Sequence, residues 1–144
     1  MNGNRLAQWQ GWGIAVLRVV VGMVFLMHGT QKVFVRGFVA TGAFMHSVGI
    51  PLPMLAGVFI ALLELLGGIA LVLGLFTRWF AAFLAVEMLV AVLAVHLRHG
   101  FFVPRGIEFP LTLMAASVAL SVLGSDKVSL DALLKGGSTE QRIS

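Results

Sequence analysis

Arg18, His28, Lys32, Glu64, His96 and Glu108 carry charge or a titratable ring, and all fall inside or at the ends of long apolar stretches, as does Glu87. An ionised group near the centre of a bilayer costs about 2.5–3.5 kcal/mol on insertion scales, so each of these residues needs a partner or a purpose. Bases facing acids in that setting can pair helices, hold a polar head group or relay a proton. Thiol chemistry is excluded within the chain, which has no cysteine, and no nucleophilic triad is readable. His96 and His99 stand at i, i+3, but there is no HExxH run and no dense carboxylate set, so no metal site is expected. Gly22 and Gly67-Gly68 read as packing positions, because no strand and no dinucleotide fingerprint accompany them.

The elements that must position these residues follow from composition. The chain has 144 residues, 59% hydrophobic and 11% charged, against about 45–50% and about 25% in soluble domains. Mean hydropathy is +1.00. A soluble globule, a disordered tail and a nucleic-acid binder are poor fits. The net charge of +4 comes from scattered bases, which in a membrane protein set topology and meet anionic lipid. The expected fold is all-α: a single domain over 1–144 forming an integral membrane four-helix transmembrane bundle, with spans at about 12–35, 54–76, 79–97 and 107–123. The first window is longer than a secretory signal and interrupted by charge, so it reads as a retained span. Residues 35–53 read as looser chain ending in Pro51 and Pro53, which suit a helix start. Thr77-Arg78 predicts a short turn between antiparallel helices. Ser129 to Leu134 suits one amphipathic turn, and about 136–144 a flexible tail.

Helical phase sorts the polar residues. At about 100° per residue, Arg18, Gly22, Phe25, Gly29 and Lys32 share one face of the first helix, with His28 at its border. Gly57, Glu64, Gly68, Leu71 and Leu75 share a face of the second. Small residues let helices approach closely in lipid, so both faces are expected to point inward, with Arg18 paired to Glu64. Glu87 and His96 lie about 180° apart on an ideal helix; both can point inward only if the helix unwinds before His96. Otherwise one faces a second copy, another subunit or the head groups. Glu108 sits in a first helical turn, where the helix dipole favours an acid.

Four spans place both termini on one side. Arg5, Arg78, Lys127, Lys135 and Arg142 fall there, against Lys32, Arg36, Arg98 and Arg105 on the other, which favours cytoplasmic termini. Trp9, Trp12 and Trp79 are expected in an interface belt on the terminal side.

Leu17-Arg18-Val19-Val20-Val21-Gly22 followed by Phe25-Leu26-Met27-His28-Gly29 and Lys32 resembles the first helix of the DoxX family. Glu64-Leu65-Leu66-Gly67-Gly68 through Thr77-Arg78 has the same likeness, as do Val95-His96, Gly100-Phe101-Phe102, Gly106-Ile107-Glu108, and Leu123-Gly124 with Val128-Ser129-Leu130-Asp131. The likeness extends from about Gly13 to Leu134. It implies a four-helix protein of the bacterial inner membrane, in a family whose best-known member is the membrane subunit of a thiosulfate:quinone oxidoreductase. Related proteins are linked to membrane redox complexes and to thiol or oxidative stress. The family's polar positions fall on Arg18, His28, Lys32, Glu64, His96 and Glu108, and Glu87 lies outside the pattern.

The leading expectation is therefore a membrane subunit of a quinone-linked redox complex, with those six residues forming a buried polar or binding site. No stand-alone active site is readable in the sequence, so any enzymatic role would be as the membrane subunit of an oxidoreductase, and quinone is the one cofactor it suggests. Its partners would be the lipid bilayer, a soluble oxidoreductase subunit and, as a homo-oligomer, further copies of itself. Two alternatives stand beside it: a structural or assembly scaffold, and a small proton-linked transporter using Glu64 and Glu87.

Overall fold

The computed structural model describes residues 3–125 and 128–134. The chain opens with α1 (Gly3–Thr30), passes through a π-helical stretch (Gln31–Arg36) and continues as α2 (Gly37–Ser47). Then come α3 (Pro53–Leu73), α4 (Thr77–Val90), a second π-helical stretch (Ala91–His96), a 3₁₀ turn (Leu97–His99) and α5 (Glu108–Leu123). The described residues contain no strand, and the fold is an all-α bundle of membrane type. Trp9–Ser47, Pro53–Leu73 and Thr77–His99 are each long and apolar enough to cross a bilayer, and Glu108–Leu123 is a shorter apolar helix.

The first helical run is longer than the 12–35 window. Its continuation is broken at Gly37, where φ is +77°, and α2 then packs on the start of α3. Gly42 and Gly57 make that contact: a Cβ on Gly57 would stand 2.7 Å from the Gly42 nitrogen. The glycines of this region, read from sequence as loose chain, include a packing position.

Helix α3 begins on Pro53, where a missing N–H costs nothing. It ends at Gly74 in the left-handed conformation, with Leu75 N–H donating to the Ala70 carbonyl and Gly74 N–H to that of Leu71. The turn is Gly74 to Phe76, one step earlier than expected, and Thr77 and Arg78 already open α4. Asp131 caps that start, accepting from Phe76 N–H at 2.8 Å and Thr77 N–H at 3.2 Å. It lies on the expected helical turn, at 130–134. The tail expected at 136–144 lies outside the described residues.

Helices α1 and α3 pack antiparallel and close together. Gly22 meets the backbone at Val72 and Gly68 and the Cβ of Leu71, and Gly29 meets the backbone at Glu64 and Leu65. Phe25, Leu71, Leu84 and Leu120 are the largest apolar side chains fully buried, and they join α1, α3, α4 and α5 in one core. The outward faces remain apolar, with Val16, Val20, Met23 and Met27 on α1 and Phe83 and Val86 on α4 exposed, as a lipid-facing surface requires. Trp9, Trp12 and Trp79 are all exposed at the end where α1 and α4 begin, the placement expected of an interface belt.

Candidate functional site

The inward faces expected of α1 and α3 are the ones that meet. Gly22, Phe25 and Gly29 are buried, as are Gly57, Glu64, Gly68 and Leu71. The expected Arg18–Glu64 pair does not form. Because Gly22 sits opposite Leu71 and Gly29 opposite Glu64, the antiparallel register sets Arg18 against Gly74. Ten residues of helix, about 15 Å, then separate it from the level of Glu64. Lys32 takes the place instead: its Nζ donates to Glu64 Oε2 at 2.5 Å.

Arg18 is 2% exposed and works at the other end of the bundle. Its guanidinium donates to the carbonyls of Leu71 at 2.5 Å, Val72 at 2.9 Å and Val128 at 2.8 Å. The first two belong to the last turn of α3, whose carbonyls lack the amide four residues on and carry the negative end of the helix dipole. Arg18 therefore closes α3 and ties the C-terminal segment to it.

Lys32 and Glu64 form the polar side of a half-open cavity of about 230 Å³ lined by residues of α1, α2, α3, α4 and α5. His28, Glu87 and His96 also line it, with Phe25, Phe44 and Phe109 among its apolar walls. Glu87 is 9% exposed. Its carboxyl lies within hydrogen-bonding reach of Glu64 and feels the Lys32 charge, while its Oε2 receives no hydrogen bond from the described residues. The His28 ring lies 6.0 Å from that of Phe109, tilted by 47°.

Glu87 and His96 reach the same cavity because of the π-helical stretch between them. An i→i+5 ladder turns the chain less per residue than an α-helix, which cuts the half-turn offset of ideal geometry to about a quarter turn. The His96 Nδ1 pairs with the Ala91 carbonyl at 2.9 Å across that widened turn. The other π-helical stretch carries Lys32. Both wide segments thus bring a polar residue to one cavity, and such segments often accompany functional sites.

Glu108 stands apart. Its Oε1 accepts from Val103 N–H at 2.7 Å, which ties the 97–107 loop to the first turn of α5, and it does not line the cavity. Of the six expected site residues, His28, Lys32, Glu64 and His96 are gathered here, while Arg18 and Glu108 serve as structural ties. Glu87, which the family pattern did not include, joins the cluster. Its mid-span position was the available signal; the widened helix that turns it inward was not readable. A second hollow of about 340 Å³ shares Phe44, Val95 and His96 with the first and adds Arg98, His99 and Arg105. Among the described residues no three His, Asp or Glu side chains group as a metal site.

Comparison with known proteins places this geometry. The chain is 32% identical over 132 residues to a Bacillus subtilis protein provisionally named oxidoreductase CatD, covering 92% of this chain and 94% of that one. It is 31% identical over 124 residues to the inner membrane protein YphA of Escherichia coli, covering 82% and 87%. Inner membrane protein YqjF of the same organism is 30% identical over 124 residues, covering 85% and 92%. No solved structure matches the chain. The DoxX family profile matches residues 13–97, a segment that holds Arg18, the Lys32–Glu64 bond and every polar residue of the 230 Å³ cavity, and the chain belongs to the DoxX family.

Proposed function

We propose that this protein is the membrane subunit of a quinone-linked redox complex in the bacterial inner membrane, and that its internal cavity takes the ring of a quinone-type molecule. The observation that carries this is the cavity itself: about 230 Å³ with His28, Lys32, Glu64, Glu87 and His96 among apolar and aromatic walls. An empty apolar cavity of about 150 Å³ is enough to bind benzene, so this one has room for a single substituted ring. Apolar surroundings with a few convergent polar groups are the usual make-up of a small-molecule site. The oxidoreductase name of one relative and the inner-membrane names of two others support the setting. Under this proposal α5 is the fourth crossing, both termini are cytoplasmic, and a soluble oxidoreductase subunit supplies the electrons.

Glu64→Gln and His96→Ala, assayed in purified protein for binding of a short-tailed quinone in its oxidised and reduced forms, should each weaken the tighter-binding form by about tenfold or more, the scale of one lost buried hydrogen bond. Unchanged binding in both variants would sink the proposal. Arg18 favours a second reading for part of the molecule, since its guanidinium donates to backbone carbonyls at the far end of the bundle. That residue belongs to a scaffold role, whatever the cavity holds.

A further inference from the structure

Hydrogen-bond accounting inside the cavity points to one redox form of its ligand. The carboxyls of Glu64 and Glu87 together present four oxygens. Among the described residues their one side-chain donor is Lys32, which is bonded to Glu64 Oε2. Glu64 and Glu87 lie within hydrogen-bonding reach of each other; one proton between them serves an oxygen of each, and acceptors still outnumber donors. Glu87 Oε2 is buried, lies on the cavity and receives nothing from the described residues. His96 does not correct the imbalance through Nδ1: a carbonyl can only accept, so Nδ1–H donates to Ala91 O and is not available to the carboxyls.

A buried acceptor without a donor carries a large desolvation penalty, which a ligand relieves only by bringing an O–H or N–H. A quinone brings two carbonyl oxygens, which are acceptors. Its reduced form brings two hydroxyls. The remaining Lys32 protons bond a carbonyl or a hydroxyl oxygen equally well, so they do not discriminate between the forms; Glu87 does. We infer that the cavity is selective for the reduced, dihydroxyaromatic ring, which donates a hydroxyl hydrogen bond to the Glu87 carboxyl. This rests on the proposed quinone-type ligand and adds its redox state and the residue that reads it.

The test is anaerobic equilibrium binding of duroquinol and duroquinone, both tail-free, to the purified full-length protein in lipid nanodiscs. Sites built around a ligand hydroxyl reject analogues lacking it by large factors, so the quinol should bind at least about tenfold tighter. In Glu87→Gln, whose amide supplies its own donor, the ratio should fall to about unity. The wild-type comparison stands even if that variant fails to fold. Saturable binding of both forms with equal affinity, or tighter quinone binding, would overturn this inference and leave the cavity proposal standing. A preference kept in a folded Glu87→Gln protein would overturn the role of Glu87. Binding of neither probe would overturn both proposals.

Discussion

Lys32 Nζ lies 2.5 Å from Glu64 Oε2, and Gly29 is what allows it. One turn before Lys32 on the same face, Gly29 brings α1 against the backbone of Glu64 and Leu65, so that a Cβ there would stand 2.8 Å from the Glu64 carbonyl carbon and overlap Leu65. The ion pair and the close approach are a single packing unit. Gly29→Ala should destabilise the bundle by about 3 kcal/mol, the upper range for overpacking, and should weaken ring binding as Lys32 is pushed away. Unfolding in detergent, read by circular dichroism, checks the first part and probe binding the second.

Removing one member of a buried ion pair leaves the other charge uncompensated. Lys32→Met is expected to cost about 3–5 kcal/mol of stability, while Lys32→Met with Glu64→Leu should recover most of that loss. Unfolding curves of the two single variants and the double variant measure the coupling directly.

Arg18→Met removes three hydrogen bonds to carbonyls of Leu71, Val72 and Val128. A loss of about 3 kcal/mol follows at roughly 1 kcal/mol each, with Arg18→Lys intermediate because an ammonium lacks the planar fork. Ligand affinity in folded Arg18→Lys should equal that of the wild type, since Arg18 does not line the cavity.

Asp131→Ala uncaps α4 by freeing the Phe76 and Thr77 amides. The expected cost is about 1–2 kcal/mol. Hydrogen exchange should quicken at those two amides and stay slow at Leu84, which is fully buried in the core.

Glu108→Ala should release the 97–107 loop without loosening the core. Val103 N–H loses its acceptor, so its exchange should accelerate while global stability falls by about 1 kcal/mol or less.

The faces of α1 and α3 were legible because a helix in lipid shows its packing side through small and polar residues at helical spacing, as Gly22, Gly29, Glu64 and Gly68 do. The partner of Arg18 was not, because phase gives direction around a helix while register along it depends on the contact of Gly22 with Leu71 and Val72. Glu87 and His96 could be related only conditionally: their common side depends on six residues of wider helix from Ala91 to His96, and the apolar run there carries no signal for π-helical geometry. Glu108 was read correctly as belonging to a first helical turn, but its acceptance of the Val103 amide required the loop to fold back.

The central claim is that a quinone-type ring enters the cavity between Lys32, Glu64 and Glu87. Photolabelling the protein in its own membranes with a short-tailed azidoquinone, followed by peptide mapping, tests it most directly. Adducts should fall on residues of the cavity wall, among them Phe25, His28, Ile60, Met88 and Phe109, and should disappear when excess unlabelled quinone competes. Adducts spread over the outward apolar faces, unaffected by competitor, would contradict it.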